Sequence, residues 1–281
     1  MPWRKGNRLR TIAEEQADPA TRGIYGEIKA ALSLPGLQLY YPAIAAYPRF
    51  LELHWEMVHN VAHSRELFAF ADRLRADAYT RVHNYFHVPN LRCGIDLSGP
   101  ASLTDAANFF HYRDPLILLL FIFQLQAMEG PTGKPPDGGA DAVGSSEQFK
   151  VSLAELPVSL SEQDAPAPVR RKYEEIRRTL DIPFVPPELC AFAMRPEFLD
   201  AYWNALKQML ASPLYPACKH GVRASAWSLA AQLPGPTELG LEQMGEAGLS
   251  AEEIASVARI LDLFVEFLSG SLLNVAAAKI A

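Results

Sequence analysis

Two carboxylates stand in settings that suit chemistry. Glu188 is the single acid within Pro186-Pro187-Glu188-Leu189-Cys190-Ala191-Phe192-Ala193-Met194. Asp114 follows His111-Tyr112-Arg113 and precedes Pro115 and the apolar run Leu116 to Phe123. A carboxyl buried among apolar neighbours loses hydration, so its pKa rises toward neutrality and it becomes useful as a base or an acid there. Each also has a second reading, as a helix N-cap or an acid in a first helical turn. The sequence leaves both readings open.

The histidines are unevenly placed. Six of the seven, His54, His59, His63, His83, His87 and His111, lie in the first half. Glu52, Glu56, His59 and His63 share one face of a helix, and Glu56-x-x-His59 has the spacing of di-iron bundle ligands. That face is opposite the apolar one, so it should point to water. His83 and His87 form an i, i+4 pair with no nearby Glu. His54 differs, because it falls in the middle of the apolar face made by Leu51, Met57, Val58, Val61 and Ala62. It is either a core histidine with a satisfied hydrogen bond or a polar group lining a pocket. Gly-rich phosphate loops, a nucleophile elbow and a paired-His zinc helix are absent from the sequence. Cys190 has no adjacent histidine and reads as a buried, inert thiol.

The elements that must position these groups are helical and come twice. Displaced by 148 residues, Tyr25, Glu27, Ile28, Leu32, Pro35, Ala43, Ala45, Pro48, Phe50, Leu51 and Trp55 fall on identical residues at Tyr173, Glu175, Ile176, Leu180, Pro183, Ala191, Ala193, Pro196, Phe198, Leu199 and Trp203. Unrelated segments of this length would share roughly two identities, given ordinary residue usage. The spacing predicts helices over Ile12 to Leu32, from Pro48, Ala106 to Gln126, Val169 to Leu180, Pro196 to Leu210 and Ala251 to Ala278. Ser250 and Glu253 have capping-box spacing at the start of the last. Between the copies, 129–168 is rich in proline and glycine and cannot run as one helix or strand. The expected organisation is a first helical repeat over 1–128, a linker over 129–168 and a second repeat over 169–281. The two repeats should pack about a pseudo-twofold axis as one all-α domain.

Composition bounds the classes of function. The chain has 281 residues, is 49% hydrophobic and carries a formal net charge of −6. Such a chain buries a full core without disulfides or structural metals. Its acidic balance argues against nucleic acid as a partner. The greasiest run, Leu116 to Phe123, is too short to span a bilayer, which needs about 20 apolar residues. No apolar leader is visible in Met1 to Gln16. Cys93, Cys190 and Cys218 are odd in number and far apart, as expected for a reducing cytoplasm.

The chain resembles the group I DL-2-haloacid dehalogenases, the halocarboxylic acid dehydrogenase family. The likeness rests on Tyr25-x-Glu27-Ile28, Tyr173-x-Glu175-Ile176, the Pro48 and Pro196 helix starts, and Tyr112-x-Asp114-Pro115 followed by Leu118-Leu119-Leu120. It implies tandem helical repeats joined by a proline-rich linker, with a knotted chain. It also implies a cofactor-free hydrolase whose active site lies between the repeats. There an aspartate would activate water for direct attack on the α-carbon of a small 2-substituted carboxylic acid, with inversion and on both enantiomers. Carried over by motif, that aspartate falls on Glu188, and the family's water-holding asparagine falls on Asp114. Leu39, Tyr40, His54, His111, Pro187, Phe264, Val265 and Leu268 would line the pocket.

Both departures have physical consequences. Glu for Asp moves the base by one methylene, and misplacements of about 1 Å can cost about 100-fold in rate. Asp for Asn adds a second acid, which would raise one pKa and repel an acidic substrate. Asp114, Glu188 and a histidine could instead hold a divalent metal, or the cavity could bind a small apolar ligand without turnover. A homodimer is compatible with such a repeat protein, and nothing in the sequence places an interface.

Overall fold

The computed structural model describes residues 9–91, 102–134, 156–235 and 238–281. Cys93, the linker centre at 135–155 and the first eight residues lie outside them. No strand occurs among the described residues. The helices are α1 (Pro19–Ala31), α2 (Tyr40–Ile44), α3 (Pro48–Ala62), α4 (Arg65–Tyr85), α5 (Leu103–Glu129), α6 (Ala167–Leu180), α7 (Pro187–Phe192), α8 (Pro196–Ala211), α9 (Leu214–Ala230), α10 (Leu241–Glu246) and α11 (Ala251–Ile280).

Local chemistry sets most boundaries. The expected helix from Ile12 is broken into a 3-10 turn at Glu14–Gln16 and α1. The break follows from Asp18-Pro19, since proline disfavours helical geometry in the residue before it. Asp18 then caps α1 by accepting the amides of Ala20 and Thr21. Pro48 and Pro196 occupy first turns, where the missing N–H costs nothing. Both interactions of the Ser250–Glu253 capping box are present. Helices α4 and α9 were not legible in the sequence. Arg75 falls within the apolar stripe of α4 and interrupts it in the sequence, yet Leu67, Phe68, Ala71, Leu74, Ala78 and Val82 line up and are buried, and Arg75 is buried with them.

Helix positions recur at a displacement of 148 residues. Ser102, which caps α5 through the Asp105 amide, corresponds to Ser250 at the start of α11. Tyr25 donates to the Ile12 carbonyl at 2.8 Å, and Tyr173 donates to the Leu160 carbonyl at 2.8 Å. Trp55 donates to Glu27 at 2.5 Å, and Trp203 to Glu175 at 3.0 Å. The ion pairs Lys29–Glu14 and Arg177–Glu162 match likewise. Both partners of each of these pairs shift by the same 148 residues.

Helices α5 and α11 pack along each other at the centre, with α4 and α9 against them. Every residue from Tyr112 to Ala127 in α5 and from Phe267 to Ala278 in α11 is buried. A helix apolar on all sides belongs in such a core. By length and composition α11 could cross a membrane, but 83% of its most apolar window is covered by the rest of the fold. With this pair buried, a polar group at the centre of the molecule depends on partners within the protein or on enclosed water.

A buried carboxylate pair between α5, α7 and α11

Asp114 and Glu188 come together in that core, each 1% exposed. Asp114 sits mid-helix in α5 and caps nothing. Pro115, next to it, removes one hydrogen bond from the helical ladder. In the same turn the Tyr112 carbonyl accepts from Arg75 at 3.0 Å. Glu188 is in the first turn of α7. Its two sequence readings therefore coexist: it is a first-turn acid, and it also points into the cluster.

Two residues complete the cluster that sequence reasoning did not single out. Ser271 of α11 places its hydroxyl 2.9 Å from Asp114 Oδ2 and 3.2 Å from Glu188 Oε1. Arg113 folds back on its neighbour, donating from Nε and Nη2 to Asp114 Oδ1 at 2.9 and 2.6 Å. Its other donors reach Gln38 Oε1 at 3.2 Å and the Tyr40 hydroxyl at 3.4 Å. The guanidinium also lies over the rings of Tyr40, Phe109 and Phe110, 4.7–5.3 Å from their centroids. A desolvated cation held on aromatic faces gains from their quadrupoles. The signal for Ser271 was available: Phe264, Leu268 and Ser271 follow one stripe of α11, and a serine there interrupts an apolar face.

Backbone strain helps to aim this arrangement. Leu39 has φ 58° and ψ −63°. With Tyr40 N bonded to the Gln38 carbonyl at 2.7 Å, this is a γ-turn of the rarer, strained hand. The turn delivers Gln38 and Tyr40, on either side of it, to the same guanidinium.

The predicted pocket residues divide into two groups. Tyr40 and Phe264 pack edge to face at 5.0 Å, with Phe121 and Phe184 beside Phe264. Pro187, Val265 and Leu268 are buried, and Leu39 is half-buried. His54 packs instead among the rings of Tyr41, Phe50 and Phe121. Its Nδ1 donates to Gln124 Oε1 at 2.9 Å, and burial pushes its pKa down to about 4. His111 has Lys279 and Arg75 as its charged neighbours, and burial first, then those cations, pushes it down to about 3. Neither histidine joins the carboxylates. Among the described residues no group of three or more His, Cys, Asp or Glu side chains could hold a metal ion. Glu56 and His59 are exposed, as the helical wheel required. Cys190 is half-buried, and burial pushes its thiol up to about 12.

Burial, and then the charge of Asp114, pushes Glu188 up to about 8. Burial raises the pKa of Asp114 as well, but Arg113, whose guanidinium is in direct contact, and Ser271 pull it back down more strongly than they do Glu188. Glu188 is thus the member of the pair that keeps a proton at neutral pH. The native state binds that proton more tightly than the unfolded chain, whose value is near the ordinary 4.5. The resulting contribution to stability is complete below about pH 4.5 and is lost as pH rises through about 8. Glu188→Gln removes this loss. Its stability relative to the wild type should therefore rise between about pH 5 and about pH 9, read by urea denaturation. Parallel pH profiles for the two proteins would show that Glu188 is ionised in the native state.

Known proteins share this architecture. The sequence model of the family described as halocarboxylic acid dehydrogenase DehI matches residues 35–189, and the chain belongs to that family. A protein of Pseudomonas putida named (R)-2-haloacid dehalogenase is 25% identical over 275 residues, covering 95% of this chain and 90% of the relative. The crystal structure of a D-2-haloacid dehalogenase mutant aligns with a TM-score of 0.90 at 22% identity, over all of this chain and 98% of the other. A complex of D-2-haloacid dehalogenase with L-LA aligns with a TM-score of 0.89 at 22% identity, over all of this chain and 99% of the other. The chain is a divergent member, folded as these all-α enzymes are.

Proposed function

We propose that this protein is a hydrolytic dehalogenase of small 2-halocarboxylic acids, with Glu188 as the group that takes the proton of the attacking water. The observation that carries the reading is Glu188 Oε2, a buried carboxyl oxygen without a hydrogen-bond partner in the protein. A buried acceptor left empty is costly. A water donating to it would be both satisfied and poised. Its oxygen would form the new bond to the α-carbon while the carbon–halogen bond breaks and halide leaves with the electron pair.

Asp114 has a different part from the water-holding one that the family motif implies. Both its oxygens are taken, Oδ1 by Arg113 and Oδ2 by Ser271. The pairing answers the expected repulsion of an acidic substrate. With Arg113 positive, Asp114 negative and Glu188 neutral, the cluster carries no net charge.

The test is halide release from separate (R)- and (S)-2-chloropropionate and 2-bromopropionate. Release from the (R) forms, the configuration in the relative's name, supports the reading. Release from both enantiomers supports it with the broader stereochemistry that the family resemblance implies. Release from neither overturns it.

A further inference from the structure

The Ser271 hydroxyl has one proton and two carboxyl partners. It lies 2.9 Å from Asp114 Oδ2 and 3.2 Å from Glu188 Oε1, and all three side chains are buried. A hydroxyl can donate to only one of two acceptors, and an ionised carboxylate only accepts. For both contacts to be hydrogen bonds, one carboxyl must itself carry a proton and donate it to Ser271 Oγ. Arg113 decides which. Its two bonds to Asp114 Oδ1 hold that group ionised, so Glu188 Oε1–H donates to Ser271 and Ser271 donates to Asp114.

A protonated glutamic acid is a poor base by itself, which would defeat the role given to Glu188 above. The chain of hydrogen bonds removes the conflict, and the inference rests on that role. We propose that Glu188, Ser271 and Asp114 form a proton relay: Glu188 accepts the attacking water's proton on Oε2 while passing its own from Oε1 to Ser271, which passes its hydroxyl proton to Asp114. In this step the water O–H, the Glu188 Oε1–H, the Ser271 O–H and the carbon–halogen bonds break. The oxygen–carbon bond forms, and so do the new O–H bonds on Glu188 Oε2, Ser271 and Asp114. Glu188 and Ser271 end neutral as they began. Asp114 becomes neutral, and the departing halide carries the negative charge that Asp114 gave up. After product leaves, Asp114 returns its proton through Ser271 to Glu188 Oε1, and Glu188 Oε2 gives up its proton to the water that replaces the product.

The departures from the family motif make one device in this view. A glutamic acid is the bifunctional carboxyl, and an aspartate in place of the asparagine is the proton acceptor at the far end. Ser271 is a positioning residue between them. The other titratable groups around Glu188 are Tyr40, Tyr202, Tyr215 and Cys190. Burial raises the pKa of each, so they stay neutral through the range in which the relay works. Tyr202 and Tyr215 are further fixed on Asn274, one turn from Ser271, at 2.6 and 2.9 Å.

The experiment has two independent readouts on the full chain. Infrared spectroscopy at neutral pH should show a protonated-carboxyl band that Glu188→Gln removes. If the variant leaves the band region unchanged, Glu188 is ionised at rest and the relay is overturned, whatever the activity. Kinetics form the second readout, with folding of each variant checked by Tm. Ser271→Ala should lower kcat roughly 100-fold, a usual size for lost proton transfer, with little change in KM. Ser271→Thr, which keeps the hydroxyl, should recover much of the loss. The wild-type rate plotted against deuterium fraction in the solvent should bow, because several protons move together, and it should straighten in Ser271→Ala. A folded Ser271→Ala with wild-type kcat, or a straight plot for the wild type, overturns the relay while leaving the dehalogenase reading intact. Absence of halide release from any 2-halopropionate overturns that reading and the catalytic relay with it; the infrared band then reports only whether the resting hydrogen-bond order is right.

Discussion

Glu188→Gln is expected to lower halide release by about 10²- to 10⁴-fold while the protein stays folded. The amide is nearly isosteric with the protonated acid and fits the same space between α7 and α11. It cannot take a proton from water on its carbonyl oxygen and pass another on, so the chemical step fails while substrate binding survives. KM should therefore change much less than kcat. Steady-state kinetics on the 2-halopropionates measure both. A variant within a few-fold of wild-type kcat would remove Glu188 from the reaction and leave it a first-turn acid that happens to be buried.

Arg113→Leu is expected to be the most destabilising single change near the site. Deleting one partner of a buried ion pair strands the other, at a cost of about 3–5 kcal/mol. Asp114 would lose two charge-assisted hydrogen bonds, and Tyr40 and Gln38 would each lose a donor. The double variant Arg113→Leu/Asp114→Asn leaves no unpaired charge and should recover part of the loss. Urea denaturation of the wild type, the single and the double variant reads this directly. A single variant within about 1 kcal/mol of the wild type would mean that Asp114 takes up a proton without difficulty, against the ionised state argued here.

Much of the architecture follows from local pattern. Apolar periodicity and proline positions locate α5, α6, α8 and α11 and the start of α3 to within a few residues, because those constraints act within one or two turns, whereas α1 starts seven residues later than expected. The register of 148 residues is visible in identities such as Trp55 and Trp203. Both tryptophans donate to the glutamates 28 residues before them, Glu27 and Glu175. Helix α4 escaped because Arg75 interrupts its apolar stripe, and only tertiary packing shows that this residue is buried with the rest.

The site divides along the same line. Local context marked Asp114 and Glu188, since an acid beside Pro115 or within an apolar run is conspicuous in a single segment. His54 and His111 were equally conspicuous and lie apart from them. A helix position fixes which face a side chain is on, and says nothing about what lies across from that face. Only the packing of α5, α7 and α11 brings Ser271 between two carboxylates that are 74 positions apart in the sequence. Only the strained turn at Leu39 brings Gln38 and Tyr40 onto Arg113. The sequence by itself determined that this chain is helical, carries an internal correspondence and has two acids out of place. The tertiary structure decided which acid keeps the proton, because burial and the position of one guanidinium are properties of the assembled core.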